Sequence, residues 1–126
     1  MHENQYHAKK RSVLHKACAE VTGFSELYRR LERKISLSGK SKSTLTNYGR
    51  HLAKAALHFN VIPTKLGEEQ VNEYLYYLQQ TYKSASDSYF KFTVYGLRYV
   101  FRMEGLEEGY LALPSIKQEK KLPVVL

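Results

Sequence analysis

Residues Ser36 to Asn60, SLSGKSKSTLTNYGRHLAKAALHFN, carry the pattern from which the fold of this chain can be read. Between Ile35 and Gly67 no acidic residue occurs, while Lys40, Lys42, Arg50, Lys54 and Lys65 all fall there. A turn-like opening at Ser38, Gly39 and Lys40 leads to Ser41 and Ser43, both suited to cap a helix that runs to about Phe59. On a helical wheel Leu45, Tyr48, Leu52, Ala55, Ala56 and Phe59 gather on one side, the spacing of a buried stripe. Ser43, Asn47, Arg50 and Lys54 fall on the other side. A solvated helix surface ordinarily mixes both signs of charge, so an acid-free face suggests an anionic partner with hydrogen-bonding groups.

The whole chain agrees with that local reading. Its 126 residues fit one domain with tails, and at 43% hydrophobic and 13% aromatic it can build a core. A net charge of +8 and a pI near 9.5 point to nucleic acid or an anionic surface. The single cysteine, Cys18, excludes an internal disulfide framework and fits a reducing, cytoplasmic compartment. The opening residues MHENQYHAKKRS contain no apolar signal core, and no run approaches the roughly 18 apolar residues of a membrane span.

Taken in order, residues 1–22 are polar and basic, with Lys9, Lys10 and Arg11 together, and read as a flexible arm. Val13, Leu14, Ala17 and Val21 offer a short helix as the lesser alternative. Gly23 punctuates the chain, after which Phe24, Leu27, Tyr28, Leu31 and Ile35 predict a helix over about 24–36. Its outer face mixes Arg29, Arg30, Arg33 and Lys34 with Glu26 and Glu32. Beyond the basic helix, Val61, Ile62 and Pro63 make a tight connection, because proline excludes its predecessor from helical conformation.

A helix over about 68–82 follows, with Glu68 and Glu69 in its first turn, where the helix dipole favours negative charge. Val71, Tyr74, Leu75 and Leu78 form its buried stripe, and its net acidity should turn it away from a polyanion. A loop at 83–88 with Ser86 as N-cap precedes a helix to about Glu104, stopped by Gly105. Phe90, Val94, Leu97 and Phe101 are its core positions; Lys91, Tyr95, Arg98 and Arg102 repeat the spacing of the polar stripe on 41–59. A third stripe, Phe92, Tyr99 and Met103, marks this helix as central. Residues 106–113 read as turns, and the closing LPSIKQEKKLPVVL reads as an extended linker into a larger protein. Four helices with short connections imply an all-α bundle.

Catalytic constellations are missing from the sequence: no Gly-rich phosphate loop, no paired cysteines and no GxSxG element. His51 and His58 share a face but stand seven residues apart, about 10 Å along a helix axis, too far to share one metal ion. No cofactor is expected, and the eleven tyrosines lack surrounding bases or oxyanion donors.

Four segments in order resemble a known family: SKSTLTNYGRHL at 41–52, EEQVNEYLYYL at 68–78, the SxS…GLRYVFR helix at 86–102 and the LPSIKQEKKLPVVL tail at 113–126. Together they are similar to the core-binding domain of tyrosine recombinases of the phage integrase family, particularly the bacterial mobile-element type. The resemblance implies a SAM-like four-helix bundle at 23–112, after a flexible basic arm at 1–22 and before an extended linker at 113–126. Such a domain clamps one side of a recombination half-site on double-stranded DNA. A C-terminal catalytic domain clamps the other side, in concert with further recombinase protomers. The second and fourth helices then meet the DNA, through Lys42, Ser43, Thr44, Asn47 and Arg50 on one and Lys91, Tyr95 and Arg98 on the other. Tyr95 stands where a small polar residue is expected. The family's catalytic residues belong to the following domain, and the chain contains no His-x-x-Arg element, so it is not expected to cut or join DNA.

Within that reading Lys40, Lys42, Lys54 and Arg102 are assigned to phosphates, whereas Asn47, Arg50 and Arg98 are suited to base edges, where amide and guanidinium groups bond bidentately. Two other readings compete: a helical protein-interaction module presenting Phe92, Tyr99 and Met103, and an RNA-binding domain.

Overall fold

The computed structural model of the chain describes residues 12–81 and 86–111, with backbone alone for 86–88. Five α-helices are seen there: α1 Val13–Glu20, α2 Phe24–Leu37, α3 Lys42–Phe59, α4 Glu68–Thr81 and α5 Ser86–Met103, with a 3₁₀ turn at Pro63–Lys65. The fold is all-α, as the periodicities predict. The basic cluster Lys9–Arg11, residues 83–85 of the loop expected over 83–88 and the tail at 113–126 lie outside the described residues. Ser86 to Ser88, expected as loop with Ser86 capping, belong to α5 itself.

Within the described residues, the part of the expected arm over 13–20 is corrected by α1. Ser12 caps it, its Oγ accepting from the His15 N–H at 3.1 Å, and Ala17 and Val21 are buried in the core. Ala17 contributes little to a hydrophobicity pattern, but its small side chain lets this helix lie close against its neighbours, which include α3.

The ends of the other helices follow from local chemistry. Gly23 precedes α2 at φ +86°, and Gly39 ends it at φ +77°. The Gly39 and Lys40 N–H groups bond back to the Ser36 and Ile35 carbonyls at 3.1 and 3.2 Å, satisfying acceptors that the helix end leaves open. Of the two serines offered as caps for α3, Ser41 takes the role: its Oγ accepts from the Thr44 N–H at 3.1 Å. The helix stops at Asn60, in the left-handed region. Before α4 the Gln70 side chain reaches back to the Gly67 N–H at 3.0 Å, one half of a capping box. Gly105, at φ +72°, ends α5 while the Leu106 N–H bonds the Phe101 carbonyl at 2.8 Å.

Helix α3 is the hub, packed against α1, α2, α5 and the 3₁₀ turn. Its buried set is Gly49, His51, Leu52, Ala53, Ala55 and Ala56, a wider arc than the predicted stripe and mostly small. Small side chains are what allow neighbours to approach it on several sides. A Cβ built on Gly49 would lie 2.7 Å from Tyr28 Cε1 of α2, closer than carbon atoms tolerate. Helix α5, for which the sequence suggested centrality, packs against α2, α3, α4 and the 3₁₀ turn. Phe24, Leu27, Leu31, Leu52, Leu78, Leu97 and Phe101 are the bulk of one continuous core. Burying each is worth roughly 1.5–3 kcal/mol before entropy is counted. Leu66 and Leu111 plug that core from the connecting segments.

Candidate nucleic-acid interface

Helices α3 and α5 run antiparallel, because contacts that descend α3 ascend α5. Lys54 lies over the Tyr89 ring at 5.1 Å, His51 meets Thr93 at 3.2 Å, and Tyr48 packs on Tyr99 with ring centroids 5.6 Å apart. Gly96 sits where they cross; a Cβ there would come within ordinary contact distance, 3.5 Å, of the Tyr48 carbonyl oxygen.

Polar residues of both helices lie near this seam. Arg50 is exposed, and Asn47 and Lys54 are half-buried on the outer face of α3. Next to Arg50, His51 stacks on Phe92 of α5 at 5.9 Å, and Phe92 meets Tyr95 edge-on at 6.4 Å. Tyr95 then lines a cleft with Lys40, Tyr48, Arg98, Tyr99 and Arg102. A line of contacts thus runs from His51 to the cleft that Arg98 lines. Lys40 is held there by the Tyr99 ring, 5.9 Å from its ammonium. The Tyr99 hydroxyl in turn donates to Ser38 Oγ at 3.2 Å, since that serine already donates to the Lys34 carbonyl.

Other predicted contact residues are placed differently. Lys42 turns toward α2, where with Lys40 it lines a second groove that also contains Glu32. The Thr44 hydroxyl is 3.2 Å from Ser41 Oγ, within the cap of α3. Ser43 is exposed, and Lys91 is half-buried on α5. The stripe Phe92, Tyr99 and Met103, offered as a partner surface, is instead half-buried: Phe92 and Tyr99 pack on α3, and Met103 shares a groove with Leu37 of α2.

Two features of the seam were not foreseen. The first is His51, which is 6% exposed. Thr93 Oγ1 donates to the Tyr89 carbonyl at 3.1 Å, so it must accept from His51, which fixes the proton on Nδ1. Burial, with Arg50 and Lys54 adding cationic repulsion, lowers the His51 pKa to about 4 and keeps the ring neutral. A histidine one step from the predicted stripe was the available signal. The second is Glu108, from the turn after α5. Its carboxylate accepts from Arg102 Nε and Nη2 at 3.2 and 3.4 Å and lies 3.7 Å from Arg98 Nε. The stripe on α5 is therefore not free of acid. A glutamate six residues beyond an arginine, across a helix-ending glycine, was the hint.

Burial raises the Tyr48 pKa, with Tyr99 and Tyr95 adding to the effect and Arg98 opposing it. Its hydroxyl is a neutral hydrogen-bonding group beside the arginines. Among the described residues, no three His, Cys, Asp or Glu side chains gather closely enough to hold a metal ion. No described helix is long and apolar enough to cross a membrane.

No family model matches the chain, and no solved structure matches it. Over 103 residues, 79% of its length, the chain is 30% identical to a Sinorhizobium fredii (strain NBRC 101917 / NGR234) protein named "Putative integrase/recombinase y4qK". The match takes in 33% of that protein, so the chain spans about a third of the length of this relative. The likeness supports a relationship to integrase/recombinase proteins.

Proposed function

We propose that this chain is a DNA-binding module of a site-specific tyrosine recombinase, clamping one side of a recombination half-site. The observation that supports the reading is the α3–α5 seam, where Lys40 and Tyr48 share a cleft with Tyr95, Arg98 and Arg102, while Arg50 is exposed and Asn47 and Lys54 half-buried on α3. A polyanionic rod lying over both helices would meet cations and hydrogen-bonding groups from each, while acidic Glu68, Glu69 and Glu73 belong to α4. The distant likeness to an integrase/recombinase agrees with duplex DNA as the partner. Lys40, Lys54 and Arg102 would meet phosphates; Asn47, Arg50 and Arg98 would reach base edges. Catalysis would lie with a separate domain, and other recombinase protomers would share the DNA.

Fluorescence anisotropy of a labelled duplex tests the reading with wild type and Arg50→Ala/Lys54→Ala, both folded by circular dichroism. Loss of one phosphate-neutralising charge and one base contact should weaken binding at low salt and flatten the slope of log K against log salt by about 1. Equal affinities would count against the clamp, and preference for an RNA duplex would move the reading to RNA.

A second reading, a protein-interaction module, rests on a different surface. His58, Phe59, Tyr74 and Tyr77 cluster at the α3–α4 contact, with ring centroids 4.8 to 6.1 Å apart. Beside Tyr77 in sequence, Tyr76 is 64% exposed. NMR shift changes confined to α4 on adding a protein partner, with none on α3 and α5 on adding duplex, would favour it.

A further inference from the structure

The DNA-binding reading leaves Glu108 unexplained, because its carboxylate occupies two of the arginines assigned to DNA. The Arg102 guanidinium meets both carboxylate oxygens in two-pronged fashion, and Arg98 approaches one of them, Oε1. This is the geometry in which arginines hold a phosphate. The backbone that carries Glu108 is fixed. Gly105 terminates α5, and the Leu111 N–H bonds the Glu108 carbonyl at 3.0 Å while the Leu111 side chain is buried. The carboxylate can therefore leave the arginines by turning about its own side-chain bonds, with the fold unchanged. Arg102 is 62% exposed, Arg98 37% and Glu108 24%, so the pairing is solvent-screened and weak enough for an incoming anion to replace.

Resting on the DNA-binding reading, we propose that Glu108 is a built-in phosphate surrogate that tunes affinity. It offsets one of the two positive charges of Arg98 and Arg102 in the free protein and yields them only to DNA that reaches the cleft they line with Lys40 and the three tyrosines, a backbone phosphate at Arg102 and a base edge at Arg98. DNA that engages only the α3 side gains nothing from the two arginines, so the carboxylate suppresses loose, misregistered binding. Such a residue acts through Arg98 and Arg102 and determines specificity.

Two substitutions separate this role from a merely orienting one. Glu108→Gln keeps the side-chain length and a hydrogen-bond acceptor but removes the charge; Glu108→Ala removes both. With a labelled duplex of arbitrary sequence at low salt, both variants should bind about two- to fivefold more tightly than wild type. The slope of log K against log salt should steepen by about 1. In an Arg98→Ala/Arg102→Ala background the gain from Glu108→Gln should vanish. Unchanged affinity in Glu108→Gln, while Arg98→Ala/Arg102→Ala weakens binding, overturns the proposal and leaves the DNA reading standing. Weaker binding by Glu108→Ala also overturns it, and shows that the carboxylate orients the arginines. If neither wild type nor Glu108→Gln binds duplex and the arginine variant behaves identically, the DNA reading fails and the proposal with it.

Discussion

Lowering the pH should destabilise this fold through one buried imidazole. In the folded chain His51 is neutral, enclosed by Tyr89 and Phe92, bonded to Thr93 and flanked by Arg50 and Lys54, with its pKa lowered to about 4. The unfolded chain regains a histidine that titrates near 6.5. Between these values the unfolded state binds the proton and the folded state does not, so stability is complete above about pH 6.5 and is lost as the pH falls toward 4. Linkage gives a loss of about 2 kcal/mol between pH 7 and 5, approaching roughly 3 kcal/mol near pH 4. Urea unfolding followed by circular dichroism across this range measures it. The control is His51→Asn, whose amide N–H can replace the Nδ1 proton donor without titrating. Other histidines and carboxylates contribute equally to both proteins, so the difference between their pH profiles isolates His51. Parallel profiles would show that the ring is solvated and that the seam is not packed as described.

Four further expectations bear on the architecture. Gly49→Ala should lower the melting temperature relative to Gly96→Ala, because only the first Cβ collides with a neighbouring ring, 2.7 Å against 3.5 Å. Overpacking of this kind costs about 1–3 kcal/mol, whereas Gly→Ala at an accommodating helical site gains up to about 1 kcal/mol. Ala17→Asp should destabilise by more than about 2 kcal/mol in chemical denaturation, since Ala17 is fully buried; a flexible arm would accept the charge at no cost. Ser41→Ala should cost about 1 kcal/mol by the same measurement, through loss of the α3 cap. Arg30→Ala should cost less than about 1 kcal/mol in thermal unfolding, because its 3.0 Å pair with Glu104 is partly exposed.

The four longer helices were legible because each carries a full apolar stripe between recognisable stops. The expected spans 24–36, 41–59 and 86–104 differ from Phe24–Leu37, Lys42–Phe59 and Ser86–Met103 by one residue at an end, and the span 68–82 agrees with Glu68–Thr81 over the described residues. Helix α1 was harder to read because a short helix docked through alanine carries little amphipathic signal. The width of the buried arc on α3 was hidden for a related reason. Gly49 and Ala53 are chosen for being small, and a polar His51 looks like surface until Thr93, 42 residues away, is brought against it. On the candidate site, one-helix spacing placed Arg98 and Arg102 on a common stripe but could not reveal Glu108 folding back on them. It also grouped Lys42 with Lys54, which the turn of α3 separates.

The position of Lys54 over the Tyr89 ring has a consequence for timing as well as for charge. A lysine tethered only at its backbone gives up as much as about 2 kcal/mol of rotational freedom when something grips its ammonium. Here the aromatic shelf restrains the four-carbon chain during folding, long before any anion arrives. An incoming ligand would meet an ammonium with its motion already curtailed, so the cost of ordering it falls on folding and the encounter is correspondingly less hindered by entropy.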